Sequence, residues 1–277
     1  MRRFIMSLSF LLVAVMALAG IAIAQGMEGS VLFVAPHRLI ITPVEKSETI
    51  NVSNKSSEAR RYDLMVVDQV MTPEGVTQRS DNGPYSAKKM LDYRPKRFTL
   101  KPGDSQVVRV VVTRPAGLGD GDYHSHLMFR EVPLGKKDKE NLPQDAKAAD
   151  KTVTFEIRTL YGLGVPIIVQ QGKVAADIDM GEASVGGGSK GHVLSVTFTR
   201  SGNAEAAGKI SAEYVQGGKA VSALDPQWVR MYREADKISK KFDLKLPANA
   251  SGGKLVVSLM RDESDPKKTI KKEVAVK

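Results

Sequence analysis

Short stretches of alternating apolar and polar residues, separated by turn-forming residues, recur from residue 30 to the end of this 277-residue chain. No window beyond the first two dozen residues keeps a 3.6-residue apolar period over three turns. A chain so patterned must bury one face of each stretch against another sheet, so it reads as all-β. Eight strands are expected in the first part, at 30–34, 39–42, 48–52, 61–70, 97–100, 106–113, 124–131 and 152–169. Eight short strands at this spacing predict an immunoglobulin-like sandwich. Thr72-Pro73-Glu74-Gly75 and Lys101-Pro102-Gly103-Asp104 carry the chemistry of tight turns, with Pro setting φ and Gly tolerating the left-handed region.

After Val169 the composition changes, and Gln170-Gln171-Gly172 reads as a hinge. Seven more alternating segments follow, at 174–180, 193–200, 208–215, 227–232, 240–246, 254–260 and 271–276. They predict a second, smaller β-sandwich. The expected organisation is a signal at 1–24, a first immunoglobulin-like domain at 25–169 and a second sandwich at 173–277. Gly186-Gly187-Gly188-Ser189 reads as a flexible loop within the second unit, Trp228 as part of its core, and the lysine-rich end from Lys267 as a solvated edge strand.

The first residues have the form of a secretory signal: Arg2 and Arg3, an apolar stretch, then Ala22-Ile23-Ala24 as a small-residue cleavage pattern. An uncleaved anchor is the competing reading, since the stretch nearly reaches the roughly 20 residues needed to span a bilayer. No other apolar run is long enough to span. Taking away Arg2 and Arg3 leaves +8 of the formal +10 net charge, spread in small clusters such as Lys136-Lys137 and Lys240-Lys241. Without aromatic interleaving this excludes a nucleic-acid groove and leaves a bias toward acidic partners. The absence of cysteine means that a translocated chain must rely on core packing. Together these features favour the periplasm.

Enzyme chemistry finds little support. No serine or cysteine sits in a Gly-x-Ser-x-Gly turn, and Gly117-Leu118-Gly119-Asp120-Gly121 leads into a strand, not into the helix that a phosphate loop needs. His124 and His126 share a strand face at a spacing that could present two imidazoles to zinc or copper. Their neighbours offer no third ligand, so they are expected on a plain polar outer face, with no metal and no cofactor.

Pro36-His37-Arg38-Leu39-Ile40-Ile41-Thr42-Pro43 and the stretch from Glu45 to Asn54 resemble the first two strands of the PapD-like periplasmic pilus-assembly chaperones. Phe98-Thr99-Leu100-Lys101-Pro102-Gly103 with Val107-Val108-Arg109-Val110, then the stretch from Gly121 to Pro133, then Tyr161 to Val169, follow in the family's order. The resemblance covers Val31 to Val169 and implies a non-enzymatic chaperone. Such a protein caps a pilus or surface-fibre subunit by lending a strand to its open groove, and an outer-membrane assembly pore is a further implied partner. The strand implied is 152–161, with Val153, Phe155 and Ile157 on one face after a polar stretch from Gly135 to Lys151. The same alternation would also serve the domain's own core.

The resemblance further implies that an Arg on the first strand and a Lys on the last hold the subunit's terminal carboxylate. Arg38 keeps the first position, whereas the Lys position is occupied by Tyr161, whose phenol donates a neutral hydrogen bond but no charge. Arg158 is the other candidate second donor; it lies on the opposite strand face unless a bulge changes the parity. Two rival readings remain: a two-domain periplasmic binding module with a non-pilus partner, and a metal-handling protein using His124 and His126.

Overall fold

The computed structural model describes residues 32–134, 162–188, 191–247, 250, 252–262 and 265–276. The expected signal, the polar stretch before 152 and the segment 152–161 lie outside the described residues. Within them the chain forms seventeen strands and two short 3-10 turns, and no α-helix.

The first unit is a sandwich of two sheets. One runs in the order β1 (Leu32–Ala35), β3 (Ser47–Asn54), β8 (Ser105–Val112), β6 (Leu91–Arg94). The other runs β2 (Leu39–Ile41), β10 (Gly162–Gln171), β9 (Gly121–Val132), β4 (Arg60–Met71), β5 (Thr77–Ser80), with β7 (Arg97–Leu100) also paired to β4. Alternation drives the packing: Ile50, Val52, Val108 and Val110 of one sheet meet Ile41, Tyr62, Leu127, Phe129 and Ile167 of the other in one buried core. Their outward neighbours, such as Thr49, Asn51 and Arg109, are exposed. Two of the chain's crossings between the sheets run through a proline, from β1 to β2 at Pro36 and from β6 to β7 at Pro95. A residue without an N–H cannot continue a ladder, so both crossings fall where pairing must stop anyway.

Two polar side chains lock this unit. Asn54, fully buried, donates to the carbonyls of Glu58 and Leu100 and accepts from Ser56. Arg114 donates to the carbonyls of Ile41, Thr42, Glu45 and Gln170, tying the end of β2 to the end of β10. Each gathers carbonyls from several separate segments onto one side chain.

The second unit packs the sheet β11 (Ala176–Gly188), β12 (Gly191–Gly202), β15 (Lys237–Asp243) on the sheet β14 (Lys219–Met231), β13 (Ala206–Gln216), β16 (Lys254–Met260), β17 (Thr269–Ala275). Ile178, Leu194, Val196 and Phe198 meet Ile210, Val229, Leu255, Val257 and Leu259 in a separate core. The fold is therefore all-β, two immunoglobulin-like sandwiches in one chain. The seven strands expected here are all present, and β17 is an edge strand as its lysines suggested.

Three local expectations are corrected. Gly186, Gly187 and Gly188 are not a loop; they pair with Val193, His192 and Gly191 as the end of the β11–β12 hairpin. Trp228 is not core but 45% exposed, with the guanidinium of Arg230 4.7 Å and the ammonium of Lys209 5.6 Å from its ring centre. The two glutamines of the expected hinge still belong to β10, and the turn comes at Gly172, whose φ is +58°. A Cβ there would run into the Asp120 carboxylate, which already accepts from the Lys173 N–H.

The two units touch through more than this linker. The β4–β5 hairpin outruns its own sheet, and its tip, the predicted Thr72–Gly75 turn, lies on β15: Ser239 N–H donates to the Pro73 carbonyl at 2.7 Å and Lys240 Nζ to that of Gly75 at 3.3 Å. Met71, the last residue of β4 before the turn, packs against the second core.

Candidate functional site

Strand β9 is buried on both faces near its start. Ser125, Leu127 and Phe129 face the first core, while Asp122, His124 and His126 are covered by two segments of the second unit, around Asn203–Glu205 and Tyr232–Glu234. One side chain holds both segments: Arg200 donates to the carbonyls of Gly202, Ala204, Arg233 and Ala235 and pairs with Asp236 at 2.6 Å. A buried guanidinium with five donors orders two loops at once.

These loops meet β9 in a polar seam. His124 stacks on Tyr232 with ring centres 4.1 Å apart, and its Nε2 lies 3.0 Å from Glu234 Oε2. The other oxygen of Glu234 accepts from the Met71 N–H at 2.9 Å, so one carboxylate joins β9 and the β4–β5 hairpin to the second unit. Burial pushes the Glu234 carboxyl up, but the His124 contact and the Met71 N–H outweigh it and hold it below its ordinary value. His126 stands edge-on to Tyr232, with Nε2 3.4 Å from the phenol oxygen; burial, with His124 and Arg38 nearby, lowers it to about 4. Burial raises Asp122 to about 6 despite surrounding cations. Asp122 accepts from the Glu205 N–H through Oδ2, and its Oδ1 has no partner. Ser125 and Ser86 both donate to Asp68 on the far side of the strand.

The expectation of a polar outer face for His124 and His126 is thus overturned. They are 4% and 5% exposed because the second unit covers them. Their alternation is as read; the cover comes from residues about a hundred positions later. Both Nε2 atoms face Glu234 or Tyr232, and among the described residues no cluster of three or more His, Cys, Asp or Glu is arranged to hold a metal ion.

Arg38 lies at the edge of this seam, between β1 and β2. Its guanidinium pairs with Glu205 and sits 5.8 Å from the centre of the Tyr232 ring. Arg230 reaches the other Glu205 oxygen at 3.3 Å. Burial holds the Arg38 guanidinium below its ordinary value; Tyr232 opposes this and Arg230 adds to it. The Nε of Arg38 has no hydrogen-bond partner.

Beside Arg38 part of the sheet edge is paired by no described strand. Strand β10 pairs with β9 along its whole length, Gly162 to Gln171. On its other side β2 covers only Ile167, Ile168 and Val169, in parallel register with Leu39, Ile40 and Ile41. From Gly162 to Pro166 no described strand pairs that edge. By the same register Arg38 is level with Pro166, where the cover stops. Leu163 is 37% exposed there, and Val165 is buried in the core. The segment holding Val153, Phe155, Ile157, Arg158 and Tyr161 leads directly into this edge, but those five residues lie outside the described ones, so of the expected binding residues the structure positions Arg38 alone.

No family model matches the chain, and no curated protein does. Among solved structures, a chaperone–tip adhesin complex of CFA/I fimbriae biogenesis is 13% identical, with 90% of this chain and 100% of that one covered, at a TM-score of 0.46. The CsuC–CsuE chaperone–tip adhesion subunit pre-assembly complex from the archaic chaperone-usher Csu pili of Acinetobacter baumannii is 12% identical, covering 90% and 100%, at 0.45. The class 5 fimbriae chaperone CfaA is 14% identical, covering 88% and 99%, at 0.44. The chain is similar to these chaperone structures. Its two-sandwich architecture stands on its own sheets and cores, and its function has to be read from its own residues.

Proposed function

We propose that this protein is a periplasmic chaperone that caps a pilus or surface-fibre subunit by strand addition, lending the segment 152–161 and the open edge of β10 that follows it. The observation that carries this reading is the edge from Gly162 to Pro166, which no described strand pairs and which begins at the level of Arg38. An exposed row of backbone donors and acceptors is a template for another strand. Each backbone hydrogen bond to a partner contributes about 0.5–1.5 kcal/mol net. Val153, Phe155 and Ile157, if buried in a subunit groove, would each add roughly 1.5–3 kcal/mol. Arg38 supplies a cation at the end of the same edge. The domain division at 25–169 and 173–277, the cleaved signal and delivery to an outer-membrane pore belong to this same proposal.

The test is co-expression with a fibre subunit encoded beside this protein. Replacing Phe155 and Ile157 together by Glu is expected to leave the subunit insoluble or degraded, while the chaperone itself still accumulates. A subunit that stays just as soluble would falsify strand donation by this segment.

A second reading, a two-domain binding module with a non-pilus partner, is favoured by one observation. Arg38 already has an internal carboxylate partner in Glu205, and the family's usual Lys position holds Tyr161. Identifying the protein that co-purifies from periplasm separates the two: an incomplete immunoglobulin-like subunit supports the first, any other stable partner the second.

A further inference from the structure

The Arg38 side chain is only 17% exposed, yet its Nε has no acceptor. A guanidinium is built to bind a carboxylate through two parallel N–H bonds. The carboxylate it has belongs to Glu205, on the short connection between the end of β12 at Gly202 and the start of β13 at Ala206. That connection is anchored by the Glu205 backbone N–H on Asp122, so its position does not depend on where the Glu205 side chain points. Glu205 also has a second cation within reach: Arg230, 3.3 Å away and more exposed than Arg38. Its side chain can therefore release Arg38 and keep Arg230, moving toward solvent without becoming an isolated buried charge.

We propose that Glu205 is a built-in mask: its carboxylate occupies the Arg38 anion site in the free protein and is displaced by the carboxylate of a bound partner. This rests on the partner-binding role assigned to Arg38 above and adds its regulation. An internal competitor lowers apparent affinity by the fraction of molecules in which the site is open. The mask thus disfavours stray carboxylates and yields to one delivered by a partner already held on the β10 edge, where the local concentration is high.

The experiment uses the full mature chain and a small probe, N-acetyl-leucine, with N-acetyl-leucinamide as the uncharged control. Binding is followed through the Arg38 Nε–H resonance, assigned by its loss in Arg38→Lys. Glu205→Gln is expected to bind the acid at least about tenfold more tightly than the parent chain, and neither protein should bind the amide. Equal affinity for the acid in both proteins overturns the mask, as does binding of the amide as strongly as the acid. A Glu205→Gln chain that melts earlier without binding the acid more tightly also overturns it, since the pair would then be only a latch. Should Glu205→Gln fail to fold, Glu205→Asp keeps the charge near Arg230 and withdraws it from Arg38, and an intermediate tightening is expected; none would overturn the mask. No subunit is needed for any of these measurements. The mask can therefore fail while the charged variants at 155 and 157 still abolish capping, and it can hold if they do not.

Discussion

The edge of β10 and the seam beside it are neighbours with opposite states. From Gly162 to Pro166 one side of the backbone is paired by no described strand; in the seam Arg38, Glu205, Asp122, His124, Glu234 and Tyr232 are packed together and joined by ion pairs, hydrogen bonds and ring stacking. An unpaired strand edge costs little in water and gains when a strand arrives. A buried charge cannot wait in that way, because leaving it unpaired costs several kcal/mol. The difference teaches that the two halves of one proposed binding site are held ready by different means: the apolar half by an edge that no described strand covers, the polar half by an internal substitute. The second unit supplies Glu205, Tyr232 and Glu234 to that polar half.

The largest expected effect breaks the polar half. Glu205→Met leaves the largely buried Arg38 guanidinium without its carboxylate, and should lower unfolding stability by about 3 kcal/mol in chemical denaturation. Adding Arg38→Met should recover most of that loss, because an apolar pair replaces an ion pair at small cost. If the double variant is no more stable than the single, the two residues are not coupled as the structure indicates.

Next in size is the pH response of the seam. His126, faced by His124, Arg38, Asp68 and Glu234, is lowered from 6.5 to about 4, so the unfolded chain binds the extra proton between those values. Its contribution is present above pH 6.5 and lost as pH falls toward 4. Asp122, faced by His124, Arg233, Arg200 and Arg38, is raised from 3.8 to about 6. The folded chain binds that proton first, so its contribution is present at low pH and lost as pH rises through 6. The two oppose each other across nearly the same window, each by about 3 kcal/mol. Asp122→Asn should therefore lose stability on acidification from 6.5 to 4 more steeply than the parent chain, and His126→Gln should lose less or gain. The other groups titrate in both variants, so the difference between the two profiles isolates the pair; parallel profiles would remove the assignment.

The smallest effect on stability belongs to the apolar half. Leu163→Lys places a charge at a 37% exposed edge position and should shift stability by no more than about 0.5 kcal/mol. It should still weaken partner capture about tenfold, equivalent to about 1.4 kcal/mol. Loss of stability without loss of capture would mean that this edge serves the fold rather than a partner.

The strands and the two proline-glycine turns were legible because alternation and turn chemistry are local. The short polar strands Thr77–Ser80 and Leu91–Arg94 were not, since TQRS and LDYR have no apolar period to read. His124 and His126 were placed on the right face, but what covers that face arrives from residues 203–205 and 232–234. Trp228 was misplaced for the opposite reason: a large aromatic suggests burial, whereas here Lys209 and Arg230 flank its ring at an exposed sheet face. Arg38 could be singled out through a resemblance, but Glu205 could not. A single acid between alanines carries no signal until the fold brings it to a guanidinium.

The most direct measurement of strand addition at this edge is amide hydrogen exchange from Gly162 to Val165, compared between the free protein and its co-purified complex with a fibre subunit. The account predicts fast exchange of alternate amides in the free chain, those facing away from β9, and strong protection of the same amides in the complex. Complex formation that leaves them exchanging as before would contradict it.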